Sequence, residues 1–296
     1  MRFLLHFDIM TFQEKLENTQ DKNNSLLCVG LDPVLEKIPE HLQEDLHPFF
    51  SFNKAIIDET NKYVCAYKPN SAFYEALGSR GVEELKFTCD YLRIMYPHIP
   101  LIIDAKRADI GNTNEGYAQY IFDYLQADAV TLQPYLGREA IAPFLDKEDK
   151  GIIILCRTSN PGAGEFQDLQ VACAEPAERV IARSESLPQP LYIHVAQQVV
   201  QKWNKNNNCL LVVGATYPEE LASIRKIAGD MTFLIPGVGA QGGEVKATLK
   251  AGLNSKKKGM IISSSRGIIF AGSGQDFAKR AGDEAKKLRD EINIYR

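Results

Sequence analysis

Leu101-Ile102-Ile103-Asp104-Ala105-Lys106-Arg107-Ala108-Asp109-Ile110-Gly111-Asn112-Thr113 reads as a strand, a turn and the start of a helix. An apolar run opens it and alternating charges close it. Side chains two apart in an extended strand share a face, so Asp104 and Lys106 are expected to point the same way. Asp109 follows three residues later, where the chain must turn toward the helix. Such charges are costly to bury unless paired. A lysine between two carboxylates stays protonated, which makes it a poor nucleophile and a ready proton donor.

The same strand–turn–helix unit recurs along the whole chain. Apolar runs predict strands at Leu26–Val29, Cys65–Lys68, Leu101–Asp104, Ala129–Leu132, Ile152–Cys156, Leu210–Val213, Phe233–Ile235 and Met260–Ile262. Helical spacing of apolar residues predicts helices at Phe52–Tyr63, Val82–Tyr96, Thr113–Leu125, Arg138–Phe144, Leu191–Trp203, Glu219–Ile227, Glu244–Ala251 and Asp276–Ile292. Eight alternations point to an α/β fold, a (β/α)8 TIM barrel in a single domain over residues 12–296. A doubly wound open sheet is the alternative, and no Gly-x-Gly-x-x-Gly turn follows the first strand to support it. Residues 1–11 are expected to be an N-terminal extension outside the core, with Met10 as a natural beginning. The stretch Gly162–Pro190 is long for one connection and predicts a mobile loop with a short helix. Lys256-Lys257-Lys258 reads as a solvated turn.

Composition is that of an ordinary globular protein: 296 residues, 45% hydrophobic and 24% charged, with a formal net charge of -4. That balance argues against a nucleic-acid surface. No run approaches the roughly 18 uninterrupted apolar residues of a membrane span. Met1–Met10 is broken by His6 and Asp8 and lacks a cleavage site, so it does not read as a signal peptide. The six cysteines form no C-x-x-C pair and are expected to be reduced, in a cytoplasmic protein.

Active groups of such a barrel gather at the carboxyl ends of its strands. Those ends read Gly30-Leu31-Asp32-Pro33, Tyr67-Lys68-Pro69-Asn70, Asp104-Ala105-Lys106, Arg157-Thr158-Ser159-Asn160, Pro236-Gly237-Val238-Gly239-Ala240-Gln241-Gly242-Gly243 and Ser263-Ser264-Ser265-Arg266-Gly267. The last two predict a phosphate site. Glycines 237, 239, 242 and 243 let backbone N–H groups approach an anion, and Arg266 can grip phosphate oxygens bidentately. The histidines fall in no metal-ligand spacing, and Ser263–Ser265 has no nearby histidine to activate a nucleophile.

Asp-Ala-Lys-Arg-Ala-Asp-Ile at 104–110, with Lys68 on the preceding strand and the loops just quoted, resembles the orotidine 5'-phosphate decarboxylase family, in its longer bacterial-type branch. The resemblance runs from about Phe12 to the C-terminus. It implies conversion of orotidine 5'-phosphate to UMP and carbon dioxide in de novo pyrimidine biosynthesis, with no cofactor and no metal. It implies that Lys106 protonates C6, that Asp104 faces the departing carboxylate, and that Lys68, Asp104, Lys106 and Asp109 form one alternating network. Asp109 and Thr113 would serve the neighbouring site of a homodimer. Asp32 would hold a ribose hydroxyl and Ser159 the pyrimidine, while Gln241, Arg266, Gly237 and Gly239 would bind the 5'-phosphate.

Three other readings compete. A magnesium-dependent sugar-phosphate aldolase or synthase shares the phosphate loops, but two lysines flanking Asp104 disfavour a cation there. A Schiff-base aldolase needs a neutral lysine, which Asp104 and Asp109 oppose. A non-catalytic nucleotide-binding barrel would have lost part of the charge network.

Overall fold

The computed structural model describes residues 10–172, 188–238 and 242–296. Each apolar run predicted above is a strand: β1 (Leu27–Gly30), β2 (Ala66–Lys68), β3 (Ile102–Arg107), β4 (Ala129–Leu132), β5 (Gly151–Arg157), β6 (Cys209–Val213), β7 (Phe233–Pro236) and β8 (Met260–Ser264). They hydrogen-bond in the order 2-1-8-7-6-5-4-3, every pair parallel. Parallel bridges Tyr67–Leu101 and Asn70–Asp104 join β2 to β3 and bring the ring to closure. The fold is therefore a (β/α)8 barrel.

Strand periodicity sorts the core into two layers. Inward positions Cys28, Ala66, Ile102, Ala129, Ile153, Leu210, Leu234 and Ile261, one from each strand, form a cluster inside the barrel. The intervening residues, such as Leu27, Val29, Ile103, Val130 and Ile262, face outward and pack under the helices. Phe12 and Leu16 complete the interior layer from below.

Those two residues belong to a helix, Phe12–Lys22, which lies beyond the helices predicted from sequence. It starts at a capping box: Thr11 accepts from the Glu14 backbone, and Glu14 reaches back to the Thr11 N–H. The helix closes the amino-terminal end of the barrel. Phe12 N–H donates to the Asp149 carbonyl at 2.8 Å, Lys15 pairs with Asp128 at 2.7 Å, and Gln20 donates to the Met260 carbonyl at 3.1 Å. Gly151 has no room for a Cβ because the Phe12 ring lies against it.

Other helices depart from expectation at their ends. The segment after β3 is α-helical over Asn112–Ala118 and continues as a π-helix over Gln119–Tyr124. The predicted Arg138–Phe144 is two short helices, Gly137–Ala140 and Ala142–Leu145, the second with Pro143 in its first turn. Of the long connection after β5, Pro161–Ala163 and Gly164–Gln167 form short helical turns, and Gln170–Val171 pairs antiparallel with Gln189–Pro190. Residues 173–187 of that loop, like residues 1–9 of the expected extension, lie outside the described residues. Cys28, Cys65, Cys89, Cys156 and Cys209 are free thiols buried in the core.

Candidate active site

Two residues beyond the inward apolar layer, the same strands turn polar: Lys68 on β2, Asp104 on β3, Thr131 on β4 and Ser263 on β8. The site is thus the next layer of the barrel interior, standing on an apolar floor. Lys68 Nζ lies 2.8 Å from Asp104 Oδ2, and Lys106 Nζ lies 2.6 Å from Asp104 Oδ1. Thr131 Oγ1 donates to the same Oδ1 at 2.8 Å. Lys68 and Asp104 are 6% and 8% exposed, whereas half of the Lys106 side chain is open to the mouth.

Burial opposes charge on both inner groups, and each restores it in the other. Burial alone would lower the Lys68 pKa, but Asp104 and then Asp32 outweigh it and hold the ammonium above its ordinary value. Burial would raise Asp104, but Lys68 and then Lys106 hold it far below the usual carboxylate range. Beneath them, burial pushes the Cys28 thiol up to about 12, so it stays protonated.

Alternation alone does not bring Lys106 onto Asp104. The β3–β4 register shifts between Ile103, opposite Val130, and Arg107, opposite Leu132. Four steps on β3 therefore match two on β4, and the extra residues form a bulge. Lys106 sits in that bulge with φ +46°, in the left-handed region. Its N–H, displaced from the ladder, donates to Thr131 Oγ1 at 3.0 Å. Thr131 was not singled out from sequence. The signal was available, because it stands two residues after inward-facing Ala129.

Asp32 lies at the β1 end, with Oδ1 accepting the Asn70 N–H at 3.0 Å. The buried Tyr74 hydroxyl fixes the same turn by donating to the Leu31 carbonyl at 2.8 Å. A Cβ on Gly30 would meet Ser265 Cβ at 2.7 Å, so the β1 and β8 ends touch only because residue 30 is glycine. Arg266 follows Ser265 and is exposed, and its guanidinium makes no hydrogen bond or ion pair among the described residues.

Ser159 lies on the loop after β5, which leans across the ends of β6 and β7. A Cβ on Gly214 would sit 2.9 Å from Ser159 Cβ, and one on Gly237 (φ +85°) 4.0 Å from its Oγ. The loop is tied down at its base. Buried Arg157 pairs with Glu220 at 2.6 Å and Asp168 at 3.2 Å, and lies over the rings of Tyr192 and Tyr217. Gln167 accepts from Thr158 N–H and donates to its hydroxyl, each at 2.9 Å. Gly239 and Gln241 fall outside the described residues.

Asp109 does not join the cluster within its own chain. Its Oδ1 accepts the Ile110 N–H at 2.7 Å, and its backbone N–H donates to Asn114 Oδ1 at 2.8 Å. Thr113 is exposed and lines an open depression of about 580 Å³ together with Glu75, Arg107 and Tyr117. Arg107 pairs with Glu75 and lies over Tyr117, with exposed Ile110 nearby in sequence. Among the described residues, no group of three or more His, Cys, Asp or Glu is arranged to hold a metal, and no helix is long and apolar enough to cross a membrane.

Known proteins similar in sequence and fold point to one family. The profile of the orotidine 5'-phosphate decarboxylase / HUMPS family matches residues 25–281. An orotidine 5'-phosphate decarboxylase of Cellvibrio japonicus (strain Ueda107) is 50% identical over 289 residues, covering 97% of this chain and all of that one. Another, from Janthinobacterium sp. (strain Marseille), is 47% identical over 286 residues, covering 97% and 99%. Among solved structures, Leishmania donovani OMP decarboxylase superposes with a TM-score of 0.79 at 35% identity, covering 97% of this chain and 98% of that one. Leishmania donovani UMP synthase, a longer chain covered to 57%, superposes with a TM-score of 0.78 at 38% identity over 95% of this chain.

Proposed function

This chain belongs to the orotidine 5'-phosphate decarboxylase / HUMPS family, and from that premise we propose that it converts orotidine 5'-phosphate to UMP and carbon dioxide in de novo pyrimidine synthesis. The observation that carries the reading is the ion cluster at the barrel mouth. An exposed ammonium, Lys106, is held 2.6 Å from a carboxylate that a second, buried lysine keeps ionised.

The C6–carboxylate bond breaks, the electron pair stays on C6, and carbon dioxide leaves. Lys106 stabilises the developing negative charge and transfers its proton to C6, then regains one from water. Asp104 stands against the substrate carboxylate and holds the Lys106 ammonium in place through their ion pair. Lys68 compensates Asp104, so the carboxylate persists in the apolar barrel. Asp32 holds a ribose hydroxyl, and Ser159 the pyrimidine from above. Gly237, Gly239, Gln241 and Arg266 hold the 5'-phosphate. Grip on this remote group directs binding energy to closing the loop after β5 and to the chemical step.

The active unit is a homodimer in which Asp109 and Thr113 of one subunit complete the site of the other. Asp109 makes no ion pair among the described residues, and this, with the exposure of Ile110 and Thr113, supports this arrangement. Ultraviolet absorbance during mixing with orotidine 5'-phosphate tests the activity. A continuous loss of substrate absorbance is expected, and no change at micromolar protein would overturn the reading.

A further inference from the structure

Thr131 makes two bonds that no ordinary core threonine needs. It is 1% exposed, yet its hydroxyl is the junction of the β3 bulge. It accepts the Lys106 backbone N–H at 3.0 Å and donates its own hydrogen to Asp104 Oδ1 at 2.8 Å. Oδ1 also receives Lys106 Nζ at 2.6 Å, so backbone and side chain of Lys106 both converge on the Thr131–Asp104 pair. Lys106 meanwhile holds φ +46°, a conformation disfavoured for a residue with a Cβ. A strained backbone persists only where its surroundings over-determine it. The regular ladder resumes at Arg107–Leu132, and Thr131 spans the gap from below.

We infer that Thr131 is a positioning residue for the proton transfer, holding the Lys106 bulge in its left-handed form so that Nζ stays over Asp104. The inference rests on the role of Lys106 proposed above. The hydroxyl acts by geometry in both directions. One lone pair fixes the Lys106 backbone, and the hydrogen fixes the carboxylate rotamer that Lys106 must meet. Valine has the same shape and neither bond, so it leaves the Lys106 N–H and one carboxylate lone pair without their partner. Serine keeps both bonds and gives up only a methyl group.

The test compares Thr131→Val and Thr131→Ser in the dimer with orotidine 5'-phosphate, alongside crystal structures of both. In Thr131→Val, kcat is expected to fall by about tenfold to a hundredfold, as for a misplacement near 1 Å. KM should stay within about threefold, because phosphate and ribose contacts are untouched. Lys106 should leave the left-handed region, and its Nζ should leave Asp104. Thr131→Ser should restore the geometry and recover most of the lost kcat. A valine variant that keeps full kcat, or one that loses kcat with Lys106 unmoved, overturns the positioning role. So does a serine variant as impaired as valine. A parent protein that leaves orotidine 5'-phosphate unchanged overturns the reaction itself, whereas the Lys106 geometry in the valine variant still reads out whether Thr131 holds the bulge.

Discussion

Lys106→Ala is expected to lower kcat by about 10²–10⁴-fold, the usual worth of a positioned proton donor. Its side chain is half exposed, and Asp104 retains Lys68 and Thr131, so the melting temperature should move little. Turnover within about tenfold of the parent would contradict the proton-donor role. Asp104→Asn reads the opposite balance. It leaves buried Lys68 without its carboxylate and should cost about 3–5 kcal/mol of stability near neutral pH. The pH dependence has a definite sign. Asp104 is depressed in the fold, so its contribution is present above the unfolded value of about 3.9 and is lost as pH falls through the folded one. Lys68 is raised, so its share is complete below about 10.4 and is lost only as pH rises through its folded value. Urea unfolding of both proteins from pH 7 down to pH 2 should show the gap narrowing with acid. A constant gap would mean that Asp104 is not the titrating group. The charges of this cluster were legible because Lys68, Asp104 and Lys106 are chemically unusual at strand ends. Thr131 was not, because threonine in a strand is ordinary until the register shows what it faces.

At the scale of elements, the strands were read well because each is a short apolar run bounded by polar turns, and burial of both faces leaves little else for such runs to do. Helix ends were read less well. The π-helical turns at Gln119–Tyr124 and Val199–Trp203 preserve helical spacing, so the pattern hides them. The helix Phe12–Lys22 was missed because only Phe12 and Leu16 of its apolar side are large, too few for a clear stripe. Its capping box, Thr11 with Glu14, was the readable sign. The bulge in β3 was illegible because nothing in Ala105-Lys106 announces an extra pair of residues. Gly151→Ala tests the fit between helix and barrel. The added methyl group meets the Phe12 ring, and the overpacking should cost about 1–3 kcal/mol in chemical unfolding. Turnover at a temperature where the variant remains folded should match the parent, because the contact lies at the far end of the barrel from the mouth. A matching loss of kcat would show that the two ends of the barrel communicate.

For the whole molecule, the proposed shared-site arrangement makes a quantitative prediction. Asp32→Ala and Asp109→Ala remove groups assigned to the same site but supplied by different subunits. Each variant alone should be weak. Mixed and allowed to exchange, half of the dimers carry one of each, and each of these has one intact site. Activity should then recover to roughly a quarter of the parent value, by random pairing in a twofold dimer. No recovery after verified exchange would place Asp109 in its own chain's site. The helix at the foot of the barrel carries a different consequence, for synthesis on the ribosome. Its anchors are spread over the sequence: Asp128 and Asp149 are made over a hundred residues after Phe12, and Met260 nearer the end. At ~5–20 residues per second, this early helix waits on the order of ten to fifty seconds for the last of its partners. Until then Phe12 and Leu16 have no barrel to enter. Seating this helix therefore belongs to the closing phase of folding, when β8 arrives and the earliest-made segment locks the latest.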